Sequence, residues 1–445
     1  MYEHQPVAPV RDKHNLLANF VDNVIAFDES PVLRAGQTTS KSSITLSDRQ
    51  ILYKKSLIKH LYFSKELSCA DLSLLTDKSL PHTSKALYEL VERGDVLESG
   101  YASSTGGRRP QMYSLKADIM YIISVAMDQY VTRIGIVDMH NQFIGGQQQF
   151  ALDLSANPNA LQDLGEYLVA FIRESGISKD KIAGIGIGMP GFVDVTKGVN
   201  YSFLDSGKAS ITEYLEMLTG VPVLIDNDSS LIALAELKLG AARNRQNAMV
   251  INIGWGIGLG MVLNGSLFRG ESGFAGEFSH IPLFTNNKMC GCGKMGCLET
   301  ETSLSVIAEK AVAGMQEGRT TMIKDLSLNN LEEAFIKIMN AAVKGDKYAV
   351  ELLSQAAYHI GRGVAILIHI MNPGLIVLSG RGALAGRLWM APIQQALNEH
   401  CIPRIAENIE ITISPLGYEA ERLGAAALVM EHFDEKKFLR KTQHH

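Results

Sequence analysis

The chain has 445 residues, 46% hydrophobic and 20% charged, ordinary values for globular protein and enough length for two or three domains. That excludes a single small module, and a formal charge of −5 gives no global attraction to nucleic acid or to a membrane surface, so any nucleic-acid site must be local. No basic segment with a following apolar stretch opens the chain and no run of 18 apolar residues occurs, so neither a signal peptide nor a membrane span is expected, and the chain reads as cytoplasmic.

Residues 1–45 join the apolar piece "NLLANFVDNVIAF" to the polar, aperiodic "RAGQTTSKSS". They read as an N-terminal extension and linker, a loosely held tail with a short docked helix as the alternative, and no function attaches to them. Over 46–117 the pattern is three helices and a hairpin. "DRQILYKKSLIKHLYF" places Ile51, Leu52, Leu57, Ile58 and Leu61 near one helical face, Ser68 can cap "CADLSLLT", and Ser79 with Pro81 in the first turn and Gly94 at the end frame a third helix. "DVLES" and "RRPQMYSL" follow as short strands around a glycine-bearing loop, completing a winged helix-turn-helix.

From 118 to 445 apolar strands alternate with amphipathic helices, the texture of an α/β body. Strands are expected at "YIISVAM", "RIGIVDM", "QFIGGQQQF", "IAGIGIGM", "VPVLIDND", "AMVINIG", "GLGMVLNG" and "LIVLSG"; helices at Ala160–Ser175, Ser229–Leu239, Ser303–Gln316 and Tyr348–Met371. Glycine-bearing turns at "GMPG" and "GWGIGLG" fall in separate strand sets, which points to two subdomains across a small-molecule cleft.

In a helix-turn-helix the second helix of the motif presents its first residues to base edges in the major groove. Ser79, His82, Thr83 and Lys85 are the candidate DNA contacts there, and the wing "STGGRRPQ" adds Arg108 and Arg109 for phosphate or minor-groove contact. Residues 46–116 hold 11 Lys and Arg against 8 Asp and Glu, a local +3 in a chain of −5, so the sign favours DNA while the size is small. A module that meets protein instead of DNA is the alternative.

Three of the five cysteines crowd into "CGCGKMGC". His280, Cys290, Cys292 and Cys297 are a ligand set for one structural zinc per chain: thiolates and imidazole suit that ion, and four protein ligands leave no open position for a catalytic water. Glycines at 291, 293 and 296 let the loop turn its sulfurs inward. Free buried cysteines beside a satisfied histidine are the alternative, and a disulfide fits a reduced compartment poorly. Metal in the loop would hold Glu277 and Glu299 on either side of it.

"GFAGEFSHIPL" followed by "CGCGKMGCLET", with "GIGIGMPGFVD" and "DNDSSLIALAE" upstream, resembles the ROK family of sugar kinases and sugar-responsive repressors. With the module "LSLLTDKSLPHTSKALYELVERGDVLESG…GGRRP" in front, the chain is most similar to the Mlc/NagC branch of repressors, over about residues 46–435. The resemblance implies an actin-like (ribonuclease H-like) body of two α/β subdomains behind the winged helix. It also implies that Asn227, Asp228, Glu277, His280 and Glu299 hold sugar hydroxyls, Asp228 being the general base of the kinases. Asn227 and Asp228 read equally as N-cap residues of the helix that follows. The kinase pattern D-x-G-G-T is replaced by Asp128-Gln129-Tyr130-Val131-Thr132, and Trp255 stands inside the second glycine loop, which argues against ATP use and for a protein that is not an enzyme.

The expected function is repression of sugar uptake or metabolism genes, with double-stranded operator DNA as one partner. The other is a sugar, a sugar phosphate or the cytoplasmic domain of a phosphotransferase-system transporter, and the assembly is a homodimer or homotetramer. A sugar kinase with an accessory DNA-binding head is the alternative.

Overall fold

The computed structural model describes residues 45–103, 109–204 and 210–439. The expected N-terminal extension, apart from Thr45, and the wing residue Arg108 lie outside that range.

The head comprises α1 (Leu46–Ser64), β1 (Glu66–Ser68), α2 (Cys69–Leu75), α3 (Leu80–Glu92), β2 (Val96–Tyr101) and β3 (Gln111–Leu115). Ser68 caps α2 in a reciprocal box with Asp71, each side chain taking the other's backbone N–H. Ser79 occupies the N-cap position of α3 with Pro81 in the first turn, but its side chain makes no capping bond. The hairpin of β2 and β3 gains an unexpected third strand, since β1 pairs antiparallel with β3. Leu57, Ile58, Leu61 and Tyr62 are the buried face of α1, whereas Ile51, expected on that face, points outward.

Two five-stranded sheets form the body. In the first, β4 (Tyr121–Met127), β5 (Val131–Val137), β6 (Phe143–Ala151), β7 (Ile182–Met189) and β10 (Val223–Asn227) lie in the order β10-β7-β4-β5-β6. The second repeats that layout, with β11 (Ala248–Ile253), β12 (Ile257–Leu263), β13 (Ser266–Phe268), β14 (Leu375–Ser379) and β15 (Glu410–Ile413) in the order β13-β12-β11-β14-β15. Each sheet pairs its first three strands antiparallel and adds the last two in parallel to the first. A two-stranded ribbon, β8 (Val193–Asp194) with β9 (Val199–Asn200), stands beside the first sheet. This doubled α/β unit is the actin-like architecture. The strands β13 and β15 and the ribbon have no clear sequence signal because they are short or polar.

Helix α4 (Ala160–Glu174) packs with α5 (Ile211–Thr219), and their apolar faces share a core with the first sheet. In the second lobe α7 (Glu299–Thr302), α8 (Leu304–Gln316), α9 (Leu331–Val343), α10 (Lys347–Met371), α11 (Met390–His400) and the short α12 (Pro403–Ala406) gather around the other sheet, with Trp389 wholly buried. The two closing helices, α6 (Asp228–Lys238) and α13 (Ala420–Glu431), cross over: α6 follows the first sheet but packs on β12 of the second, while α13 follows the second sheet and packs on β7 of the first. This crossing explains "IAGIGIGM". Gly184, Gly186 and Gly188 share one face of β7, and a Cβ at Gly186 would stand 1.9 Å from the carbonyl oxygen of Ala425. Gly258 and Gly260, read from sequence as part of a phosphate loop, do the same duty on β12 against α6. Among the described residues no helix is long and apolar enough to cross a membrane.

The head is fused to the body. Leu57, Leu61, Tyr62, Leu87 and Leu90 share one hydrophobic core with Ile122, Val137, Met430, Phe433 and Phe438. Lys59 bonds Asp434 at 3.1 Å, and the Lys55 ammonium lies 3.8 Å from the Phe433 ring centre.

Candidate functional site

A cavity of about 450 Å³ opens between the lobes. The parallel strands deliver its residues: Asp128 follows β4, Asn227 ends β10, Trp255 follows β11, Arg381 follows β14, and Tyr418 and Glu421 follow β15. Ligands in open α/β sheets bind beyond the carboxyl ends of the strands, and these positions are such ends.

The expected sugar set converges here. Asn227, Asp228, Glu277, His280 and Glu299 all line the cavity. Asn227 is the N-cap of α6, its Oδ1 accepting from the Ser229 and Ser230 amides at 2.9 and 3.2 Å while its Nδ2 donates to the Gly191 carbonyl at 3.2 Å. The N-cap reading therefore holds geometrically. Asp228 accepts from the Ser229 amide at 2.7 Å and from Asn252 Nδ2 at 3.3 Å; burial pushes its carboxyl up to about 6 against those bonds. Glu299, first in α7, accepts from the Ile257 amide at 3.4 Å. Burial raises the Glu277 carboxyl, and His280 Nε2 stands 3.6 Å from it.

His280 turns its other ring nitrogen to the cysteines. Its Nδ1 lies 3.5 Å from Cys290 Sγ, Cys292 Sγ lies 3.7 Å from Cys297 Sγ, and all four ligand atoms fall within 4.8 Å of one another. Tetrahedral zinc, with bonds of about 2.3 Å to sulfur and about 2.0 Å to nitrogen, would set sulfur–sulfur and sulfur–nitrogen separations of about 3.8 and about 3.5 Å. Burial and the neighbouring sulfurs push the Cys297 thiol up to about 12, so three thiolates in this space need a cation. The residues fit a metal ion, and the chain's bridges Pro282 to Cys297 and Met289 to Met295 shape the loop that carries them.

The loop after β4 is held by side-chain bonds centred on Asp128. Asp128 Oδ1 accepts from the amides of Tyr130 and Val131, both at 2.8 Å. Its Oδ2 accepts from the Trp255 indole at 3.2 Å and from Arg381 of the opposite lobe. Arg381 also bonds Glu332 and the Tyr418 hydroxyl, and its guanidinium lies 4.8 and 4.7 Å from the Trp255 and Tyr418 ring centres. Arg133 pairs with Glu421 at 3.1 Å on the same side, and burial pushes Glu421 up to about 8 in spite of it. Behind the cleft Asp226 and Arg269 pair at 2.5 Å, a second ionic tie between the lobes. Arg133, Arg381, Tyr418 and Glu421 escaped sequence reading. A signal existed for Arg381, which sits in "SGRG" directly after an apolar strand.

On the head, His82, Lys85 and Arg109 are exposed and Ser79 stands at the start of α3. Thr83 does not join them: it is fully buried, hydrogen-bonded to Tyr53 at 2.7 Å and to the Ser79 carbonyl at 3.2 Å. A half-turn from Lys85 the helix faces inward, so Thr83 orients α3 and cannot read bases. His82 lies against Tyr53, with ring centres 4.7 Å apart. Ser84 and Tyr88, one turn apart on the outer face, are the exposed residues that sequence reading missed.

Fold and cleft together define a two-lobed small-molecule-binding protein that carries a winged helix of the DNA-binding type. The ROK family model matches residues 132–432, and the chain belongs to the ROK family. The xylose repressor of Caldicellulosiruptor bescii is 27% identical over 396 residues, spanning 85% of this chain and 95% of that protein. The glucokinase of Halalkalibacterium halodurans is 34% identical over 258 residues, but these are 57% of this chain and 78% of the kinase. Among solved structures, a ROK family transcriptional regulator described as a homolog of the E. coli MLC protein matches with a TM-score of 0.70 at 23% identity, covering 88% of this chain and 98% of its own.

Proposed function

We propose that this protein is a sugar-responsive transcriptional repressor whose winged helix holds operator DNA until an effector changes the cleft. The observation that carries the reading is the physical continuity between cleft and head. Helix α6 starts at Asp228 in the cleft and ends at Lys238, whose ammonium lies 5.1 Å from the ring of Phe63 at the end of α1 and 2.8 Å from Glu431 at the end of α13. Helix α13 starts beside Glu421 in the cleft and ends with Met430 inside the head's core. A ligand that prefers one arrangement of the lobes shifts these two helices, and with them the heads of a paired assembly. Half-site spacing then no longer matches a palindrome.

Pairing requires at least a dimer, a homodimer or homotetramer in this reading, and the outward apolar side chains Val343 on α9 and Ile370 on α10 are candidate contacts. Zinc in the four-ligand cluster would act as a scaffold: it supplies no chemistry to ligand, and fixes the loop between Glu277 and Glu299. The effector is a sugar, a sugar phosphate or a transporter's cytoplasmic domain. The repressor relative aligns over 85% of the chain, which must include part of the head, and this supports repression over phosphorylation. The replacement of the two kinase glycines by Tyr130 and Val131 after Asp128 supports the same side.

The kinase alternative keeps one observation in its favour, the raised carboxyl of Asp228, poised as a base would be. Selection of genomic fragments by the purified protein, with and without a panel of sugars and sugar phosphates, tests the reading. A palindrome that one compound releases supports it, and a palindrome that no sugar releases moves the effector to a protein. Sugar-dependent ATP turnover of order 1 s⁻¹ without any DNA enrichment overturns it.

A further inference from the structure

Three aromatic side chains stand at the rim of the cleft, outside the polar set. Phe192, 42% exposed, follows β7; Tyr201, 58% exposed, follows β9; Phe274 comes from the opposite lobe, between β13 and Glu277. The ring centres of Phe192 and Phe274 are 5.5 Å apart at 82°, and those of Tyr201 and Phe274 are 6.1 Å apart at 77°, so the rings meet edge to face across the gap between lobes. Phe192 and Phe274 line the same cavity as the sugar set.

The wall is built rather than incidental. Gly191 takes φ +89° immediately before Phe192, and a Cβ there would lie 2.5 Å from Cβ of Ser202. Ser202 Oγ accepts from the Phe192 amide at 3.0 Å, and the Gly191 carbonyl accepts from Asn227, which joins the rim to the floor of the cleft. The Tyr201 hydroxyl donates to Asp194 at 3.2 Å and accepts from Lys197 at 3.1 Å, which holds its ring in place. Exposed apolar rings fixed beside a polar pocket mark a ligand groove more often than idle surface. A pyranose ring has the matching character: hydroxyls around its edge for carboxylates and amides, and C–H groups on its faces for aromatic rings. The floor residues already engage one ring's hydroxyls in the reading above.

We propose that the cleft continues into a second subsite, formed by Phe192, Tyr201 and Phe274, that takes the second ring of a disaccharide. This rests on the sugar-binding reading and names its ligand class. Because Phe274 and Phe192 come from different lobes, a two-ring ligand touches both and favours one lobe arrangement more than a monosaccharide can.

Calorimetric titration of the full chain with glucose, xylose and N-acetylglucosamine, and with cellobiose, maltose, xylobiose and diacetylchitobiose, tests it. The readout is the ratio of dissociation constants of each monosaccharide and its disaccharide, so a general loss of affinity or of folded protein cancels. At least one disaccharide should bind about tenfold tighter than its own monosaccharide, and Phe274→Ala should bring that ratio down about five- to tenfold, with Phe274→Tyr restoring it. A disaccharide that binds no tighter than its monosaccharide, or a ratio that Phe274→Ala leaves alone, overturns the second subsite and leaves the sugar reading standing. If no sugar of either length binds, the second subsite falls together with a free sugar as the effector.

Discussion

Arg381→Met would cut the tie between the lobes at one point. The guanidinium serves Asp128, Glu332 and the Tyr418 hydroxyl and lies over two rings. Its side chain is 9% exposed, against 17% for Asp128 and 41% for Glu332. Removing one partner of a buried ion pair costs about 3–5 kcal/mol, chiefly because the other charge is left behind. Here Asp128 keeps two backbone amides and an indole N–H, and Glu332 reaches solvent, so the cost sits near the lower end, about 3 kcal/mol. Asp128→Asn keeps the shape but removes the charge, for about 2 kcal/mol. The double variant should then cost less than the sum of the singles by about 1–3 kcal/mol. Urea unfolding followed by tryptophan fluorescence reports this directly, since one of the two tryptophans, Trp255, stands in the cluster and the other, Trp389, in the second lobe's core. Costs that add within about 0.5 kcal/mol would show that the two side chains do not interact in solution.

Cys290→Ser or Cys297→Ser should lose zinc from a one-per-chain stoichiometry and lower Tm, checked by metal analysis and calorimetry; unchanged metal content would remove the ion from the cluster. Asp228, with its carboxyl at about 6 rather than 3.8, loses its charge as pH falls through 6, so sugar affinity at pH 5 should be about tenfold below that at pH 7. The same shift has the opposite sign for stability: the native state holds the proton between 3.8 and about 6, so this group's contribution falls as pH rises through that window, and Asp228→Asn should flatten both profiles. On the head, Lys85→Ala should weaken operator binding and lower the slope of log K against log salt by about 1, while Thr83→Val, which breaks a buried hydrogen-bond pair, should lower stability by about 1–3 kcal/mol and leave the salt slope unchanged.

Much of this was legible along the chain because it depends on neighbours. The cap at Ser68, the helix frame from Ser79 to Gly94 and the ligand set from His280 to Cys297 each lie within about twenty residues, where spacing largely decides geometry. Thr83 shows the limit of that reading. Its place beside His82 and Lys85 in sequence says nothing about which way it faces, and only the packing of α3 on Tyr53 turns it inward. The alternating glycines of "IAGIGIGM" and "GIGLG" were visible as a pattern, but their meaning was not: they admit α13 and α6, which approach from the opposite lobe.

Local spacing and side-chain chemistry were enough for the kinds of element, the helix-turn-helix and the cysteine cluster, while the residues expected to hold hydroxyls came from the resemblance to the ROK family. Tertiary packing alone brought Arg381 to Asp128 across 253 positions, set Phe274 against Phe192, and joined the head's core to Ile122 and Val137 of the first sheet and to α13. The physical reason is the doubled sheet. Strand order within each lobe sends the ends of β4, β10, β11, β14 and β15 to one cleft, and no periodicity along the chain records which distant strand ends will meet there.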